Sequence, residues 1–248
     1  MAVILELFDL HKSFGNLCAV RGFNLKVNAS EIYSIIGPNG AGKTTVFNLI
    51  TGKLLPNQGR ILFKGEEITN LPPHQINLKG ISRSFQITNI FQGMSVYENI
   101  RVACQSKRKS LALLFSTVEK LAEVEEKTAK IIRNLGLWEK RMELAGNLSH
   151  GDQRYLEIGI ALATEPELLL LDEPTAGMTP HETKKTIELI HHLKEQLTIL
   201  LIEHDMEVVM DVSDFITVMN QGEKLAEGVP EEIRKDERVL EAYLGKEA

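Results

Sequence analysis

Two things this chain has little of are cysteine and long apolar runs. Cys18 and Cys104 are its only thiols, far apart and without C-x-x-C spacing, which points to free buried thiols rather than a disulfide or a metal site. The longest apolar runs, Leu168–Leu171 and Ile199–Ile202, fall far short of the roughly 20 residues that span a bilayer. A membrane role is therefore expected only through a partner. An excess of basic charge is also missing. The 28 Lys and Arg and 34 Asp and Glu are mixed along the sequence, for a net charge of −6, and no basic stripe is present to follow a phosphate backbone, so nucleic acid is not an expected partner. The start, MAVILELFDLHKSF, has neither a basic leader nor a small-residue cleavage site, and cytosolic residence is expected. Internal repeats and low-complexity linkers are lacking too.

What the chain does have is core-forming material. With 43% hydrophobic residues in 248 it can bury one large α/β domain or two small ones. Short β-rich runs lie at Ile4–Leu7, Phe23–Val27, Ile32–Ile36, Arg60–Phe63, Leu168–Asp172, Ile199–Ile202 and Phe215–Met219. They alternate with helical stretches, and the most apolar read as buried parallel strands, which predicts an α/β fold. From about Val96 to Ala163 the strand signal fades. There Ser116-x-x-Glu119 reads as a capping box ahead of Leu121, Val124, Ile131, Ile132 and Leu135, with Gly136 as the stop. This stretch reads as a solvated amphipathic helix in a helical insertion within one α/β unit. Thr179-Pro180-His181-Glu182 is a second start signal and predicts a helix to about Glu195.

The sharpest motif is GPNGAGKT, Gly37 to Thr44, which matches G-x-x-x-x-G-K-[ST] directly after a strand and before a helix-compatible run. Gly40 and Gly42 let the backbone curl so that several N–H groups face one concavity, and the following helix adds its positive end. Such a cradle suits a polyphosphate. Lys43 would reach the β- and γ-phosphates, and the Thr44 hydroxyl would ligate Mg²⁺ on the same oxygens. A second element, LLLLDEP from Leu168 to Pro174, is an apolar strand ending in two acids. Asp172 is placed to hold the Mg²⁺ shell and Glu173 to polarise a water for in-line attack. Bare carboxylates at an apolar strand tip need a cation or donors.

On these motifs and their order the chain resembles the ATP-binding cassette (ABC) ATPases over nearly its whole length. The resemblance implies a P-loop NTPase fold with a mostly parallel core sheet, an antiparallel β subdomain and an inserted α-helical subdomain. The core would be about residues 1–87 and 164–248, and the helical part about 88–163. ATP and Mg²⁺ are the implied cofactors. Gly37, Pro38, Asn39, Gly40, Ala41, Gly42, Lys43, Thr44 and Thr45 would hold the phosphates, and Phe14 in HKSFG would stack on the adenine. Gln86 in RSFQ resembles the family's Q-loop glutamine, touching Mg²⁺ or the attacking water. His204 in LLIEHD resembles the switch histidine on the γ-phosphate, and Glu173 the general base. The pair His191–His192 faces apart on a helix, which is poor metal geometry.

The stretch LSHGDQRYLEI, Leu148 to Ile158, resembles the family's signature loop with two departures, His150 and Asp152. Ser149 and Gly151 are kept. In the family this loop meets the γ-phosphate held by the opposite subunit, and a chain with one of each motif implies a dimer, with itself or with a related ATPase. Ser149 is expected to cap the helix, with Asp152 as its partner. Thr179 stands where many members have Asp in the D-loop, AGMTP.

Within the family the similarity is to the ATPases of branched-chain amino-acid importers. It rests on IGPNGAGKTTVFNLITG, SRSFQ, IFQGMSVYENI, LLIEHDMEVVM, NQGEKLAEG and IRKDERVLEAYLG, and on the lack of a long extension after Leu244. In that group two ATPases energise two permease subunits fed by a solute-binding protein, which implies peripheral residence on the cytoplasmic face of the inner membrane. Urea or short-amide importers, lipopolysaccharide exporters and, further off, a non-transport nucleotide switch are the alternatives. A guanine-reading N-K-x-D is absent.

Overall fold

The computed structural model describes residues 2–84, 90–106 and 118–244. Its backbone forms two sheets. A four-stranded antiparallel sheet has the order β2-β1-β4-β5, from β1 (Val3–Phe14), β2 (Leu17–Asn28), β4 (Gln58–Phe63) and β5 (Glu66–Glu67). A six-stranded sheet runs β10-β9-β3-β8-β7-β6, from β3 (Ile32–Ile36), β6 (Ile81–Arg83), β7 (Leu168–Asp172), β8 (Thr198–Ile202), β9 (Phe215–Asn220) and β10 (Glu223–Gly228). All its pairings are parallel except that of the edge strand β10 on β9. The expected α/β class and mostly parallel central sheet are what the chain forms.

The central strands are apolar throughout because both faces are covered. Every residue of β3, β7 and β8 is buried. In β7, Leu168 and Leu170 enter the core shared with the antiparallel sheet and helix α1 (Lys43–Ile50). Leu169 and Leu171, on the other face, join the core under the helices α3 (Val96–Ser106), α4 (Val118–Asn134), α5 (His150–Ala163) and α6 (Pro180–Lys194). The period-2 alternation of a strand thus joins two cores through one sheet.

Several boundaries differ from the sequence expectation. The first two strands are 12 residues each, because they form a twisted antiparallel pair with register shifts that short apolar windows do not reveal. Strands β5, β6 and β10 were not anticipated: β5 and β6 are two and three residues long, and β10 is a charged edge strand buried mainly at Ala226 and Gly228. In α4, Val124 and Ile132 are buried as expected, as is Leu135 just past its end, but Leu121 is exposed. Gly136, with φ 69°, follows the end of that helix, and the proposed cap at Ser116 lies outside the described residues. The helix from Pro180 ends one residue before the expected Glu195 and carries the full capping box between Thr179 and Glu182. Both thiols are free. Cys104 is buried, but Cys18 is only half-buried, and hydrogen bonding to Ser13 and then Arg21 holds its pKa below the usual thiol value.

Candidate functional site

Parallel strands open their C-terminal ends on one side of the sheet, where ligands of α/β folds bind. Register brings three such ends into line: Ile35 of β3 lies opposite Ile202 of β8, and Ile202 opposite Asp172 of β7. Adjacent strands are about 4.8 Å apart, so the loop after Ile36, the acids Asp172 and Glu173, and the pair Glu203 and His204 emerge side by side.

The loop after β3 has positive φ at Gly37, Gly40 and Gly42. A Cβ at Gly37 would lie 2.1 Å from the Met219 carbonyl oxygen and one at Gly42 2.4 Å from that of Ala19, whereas one at Gly40 meets nothing within 4 Å. Two glycines are therefore required by the protein's own backbone. At Gly40 only the positive φ asks for glycine, and that side of the loop is open. Gly42 is the N-cap of α1, no acid stands in the first turn, and no side chain caps it, so the positive helix end faces the loop. Lys43 is buried, and its ammonium donates to the carbonyls of Gly37 at 2.6 Å and Pro38 at 3.2 Å. Asn39, Gly40 and Thr44 are exposed, Pro38 and Thr45 half-buried, and Ala41 is buried.

Asp172 is 1% exposed, and its Oδ2 accepts from Arg83 Nη2 at 2.5 Å. Arg83, at the end of β6, also donates to Asn48 Oδ1 at 2.7 Å and lies over the Phe47 ring, both on α1. The other oxygen of Asp172, Oδ1, is buried without a hydrogen-bond partner among the described residues. An acceptor left over in this way, beside a glycine loop at the start of a helix, fits the shell of a divalent cation. Glu173 is half-buried with φ 49°, and its N–H donates to the Ile202 carbonyl at 2.8 Å. A glutamate in the left-handed region is strained, and such strain persists where the surroundings fix it.

Glu203 is fully buried, while His204 beside it is exposed. Glu203 Oε1 accepts from the N–H of Thr175 at 2.9 Å and from its hydroxyl at 2.6 Å, and Oε2 accepts from the N–H of His204 at 3.1 Å. His204 Nδ1 lies 3.7 Å from the same Oε2. Phe14 is exposed at the end of β1, with the Lys12 ammonium 5.4 Å from its ring centre. Gln86 lies outside the described residues.

The stretch from Leu148 forms a second cluster. Ser149 is the N-cap of α5 and accepts from the N–H of Asp152 at 3.2 Å, while its hydroxyl donates to Asp152 Oδ2 at 2.8 Å. The Lys140 ammonium reaches the same oxygen at 2.5 Å, which holds the lysine pKa above its ordinary value. The expected cap is there, and Lys140 completes it. Gly151 is buried, and a Cβ there would lie 2.5 Å from Glu182 Oε1, while the His150 ring lies close to Gly177. The signature-like loop thus packs on the turn before α6. His191 and His192 face different acids, Asp211 and Glu195, and no cluster able to hold a metal through His, Cys, Asp and Glu occurs among the described residues.

Residues 20–176 match the family model described as ABC transporter. The chain belongs to the ABC transporter ATP-binding family. As a member of that family it is an ATPase with a nucleotide site. Residues 223–248 of this ABC ATPase match a further model, described as branched-chain amino acid ATP-binding cassette transporter. It is 46% identical over 250 residues to the high-affinity branched-chain amino acid transport ATP-binding protein BraF of Pseudomonas aeruginosa, covering 98% of each chain. To LivG of Escherichia coli K12, which bears the same description, it is 45% identical over 252 residues, again 98% of each. Among solved structures, a nucleotide-free ATP-binding cassette from an ABC transporter superposes with a TM-score of 0.87 at 34% identity, over 98% of this chain and 100% of that one. A cassette in its ADP conformation gives 0.86 at 33% identity, over 99% and 100%.

Three residues that hydrogen-bond to Asp172, His204 and Asp152 escaped the sequence reading. Arg83 and Glu203 stand inside stretches singled out for their neighbours, Gln86 and His204, and Lys140 lies outside any motif. The sequence signals only that a buried acid at a strand tip needs a donor; it does not say that Arg83 is that donor.

Proposed function

We propose that this ABC ATPase is the ATP-hydrolysing subunit of an importer of branched-chain amino acids, peripheral to the cytoplasmic face of the membrane through permease subunits. The observation that carries it is the 46% identity to BraF across 98% of both chains, supported by the C-terminal match over residues 223–248. No described helix is long and apolar enough to cross a membrane, so docking to a permease has to use a surface. A groove of about 550 Å³ between α2 (Pro73–Lys79), β6 and α5, with Leu78, Ile160 and Ala161 in its wall, reaches Arg83 and Ser84 and supports that assignment. The proposed division is a core of about 1–87 and 164–248 and a helical part of about 88–163.

In this reading the backbone N–H groups from Gly37 to Thr45 and the start of α1 bind the phosphates of ATP, and Phe14 stacks on adenine. Lys43 turns from the loop carbonyls to the β- and γ-phosphates. Thr44, Asp172 Oδ1 and, by resemblance, Gln86 hold Mg²⁺, which neutralises charge on the phosphate oxygens when bound. Arg83 orients Asp172 for this. Glu173 takes the proton of the attacking water, and His204 binds the γ-phosphate. Ser149 and Gly151 complete the site of a second cassette, the same chain or a related one. The test is ATP binding and turnover by the purified protein and by Glu173→Gln. Retained binding with turnover lowered at least about a hundredfold supports the reading; turnover equal to the parent contradicts it.

A further inference from the structure

The geometry points to Glu203 as a positioning residue that ties the turn carrying Glu173 to the loop carrying His204. This rests on the roles proposed above for those two. A fully buried carboxylate is costly unless donors satisfy it, and the donors recorded for Glu203 come from the two loops at issue. One oxygen takes both the N–H and the hydroxyl of Thr175, two residues past Glu173; the other takes the N–H of His204. A carboxylate acceptor strengthens such bonds; those from Thr175 are 2.9 and 2.6 Å, and that from His204 is 3.1 Å.

The turn after β7 is pinned at two points, to the last residue of β8 and to the residue after it. Glu173 N–H holds the Ile202 carbonyl, and Thr175 holds Glu203. Pro174 between them is buried. The left-handed backbone of Glu173, with φ 49°, is therefore fixed from both sides, and Glu203 supplies the second pin. Because the same side chain fixes the backbone of His204, a shift of the histidine loop is passed to the turn that aims the general base. The base and the γ-phosphate contact are held as one unit.

Glu203→Gln keeps the volume and one acceptor oxygen but sets an NH₂ group against one of the two loops. In steady-state ATPase assays of the full chain, kcat is expected to fall at least about tenfold, since small misplacements near the reacting atoms are costly. KM for ATP should stay within about twofold, the phosphate loop being untouched. Added to His204→Ala, Glu203→Gln should cost less than about a further twofold, as for residues that act together. A kcat within about twofold of the parent, or losses that multiply in the double variant, overturns the proposal. If Glu203→Gln does not fold, Thr175→Val, which deletes only the hydroxyl donor, replaces it: a lowered kcat at unchanged KM and unfolding temperature supports the link, and an unchanged kcat overturns it. Glu173→Gln and His204→Ala are assayed alongside. If both are slow and Glu203→Gln is not, only the positioning claim fails; if both turn over like the parent, the functional reading fails and takes the positioning claim with it.

Discussion

Arg83→Met strips the Asp172 carboxylate of the cation that holds it. The two side chains are 5% and 1% exposed, so solvent screens the pair little. Removing one partner of a buried pair costs about 3–5 kcal/mol, because the remaining charge is left uncompensated. The hydrogen bond from Arg83 to Asn48 adds about 1 kcal/mol. Methionine keeps an apolar stem against Phe47, and water entering from the open end of the strand relieves part of the deficit, so a net loss of about 3 kcal/mol is expected. For a chain of this size each kcal/mol moves Tm by about 2–4 °C, which puts the drop at about 6–12 °C. Calorimetry of the nucleotide-free protein measures it. Asp172→Asn in the Arg83→Met background should restore part of the loss, since the double variant buries no bare charge. The reasoning is refuted if Arg83→Met melts within about 2 °C of the parent, or if the two substitutions add without coupling.

Three further outcomes follow from the same geometry. Asp152→Asn weakens the hold on Lys140 and Ser149 and removes an acid from the mouth of the proposed site between two cassettes; ATPase at limiting protein should rise by about threefold, and an unchanged concentration dependence would count against this. Thr179→Ala removes the capping hydroxyl of α6 and should cost about 1 kcal/mol, read from the denaturant midpoint at constant m. Hydrogen bonds from the Thr179 N–H and hydroxyl hold the Glu182 pKa below its ordinary value, so its contribution is present at neutral pH and lost as pH falls through the lowered value. The stability gap between the parent and Glu182→Gln should therefore close in acid, and a gap constant with pH would contradict the linkage.

Much of the site is legible in the sequence where one short segment carries its own reason. The glycines of GPNGAGKT are marked by their own spacing, although the carbonyls that exclude a side chain at Gly37 and Gly42 come from the distant Met219 and Ala19, and the Thr179–Glu182 box is closed by residues three apart. Asp172 and Glu173 stand out because charge at the tip of LLLLDE conflicts with its surroundings. Arg83 and Glu203 were not legible, because their partners are 89 and 28 residues away and are known only once strand order is known. β6 reaches β7 only after the chain has traversed α3 to α5. The edge strand β10 was missed for a related reason: EKLAEG carries charges that suit an exposed edge and spoil the apolar signal.

The central claim is most directly tested by uptake of labelled leucine, isoleucine and valine in cells that lack this chain, complemented with the parent or with Glu173→Gln. Loss of uptake on deletion, restored by the parent and not by Glu173→Gln, is the predicted result. Unchanged branched-chain uptake after deletion, with urea or short-amide uptake lost in its place, would contradict it.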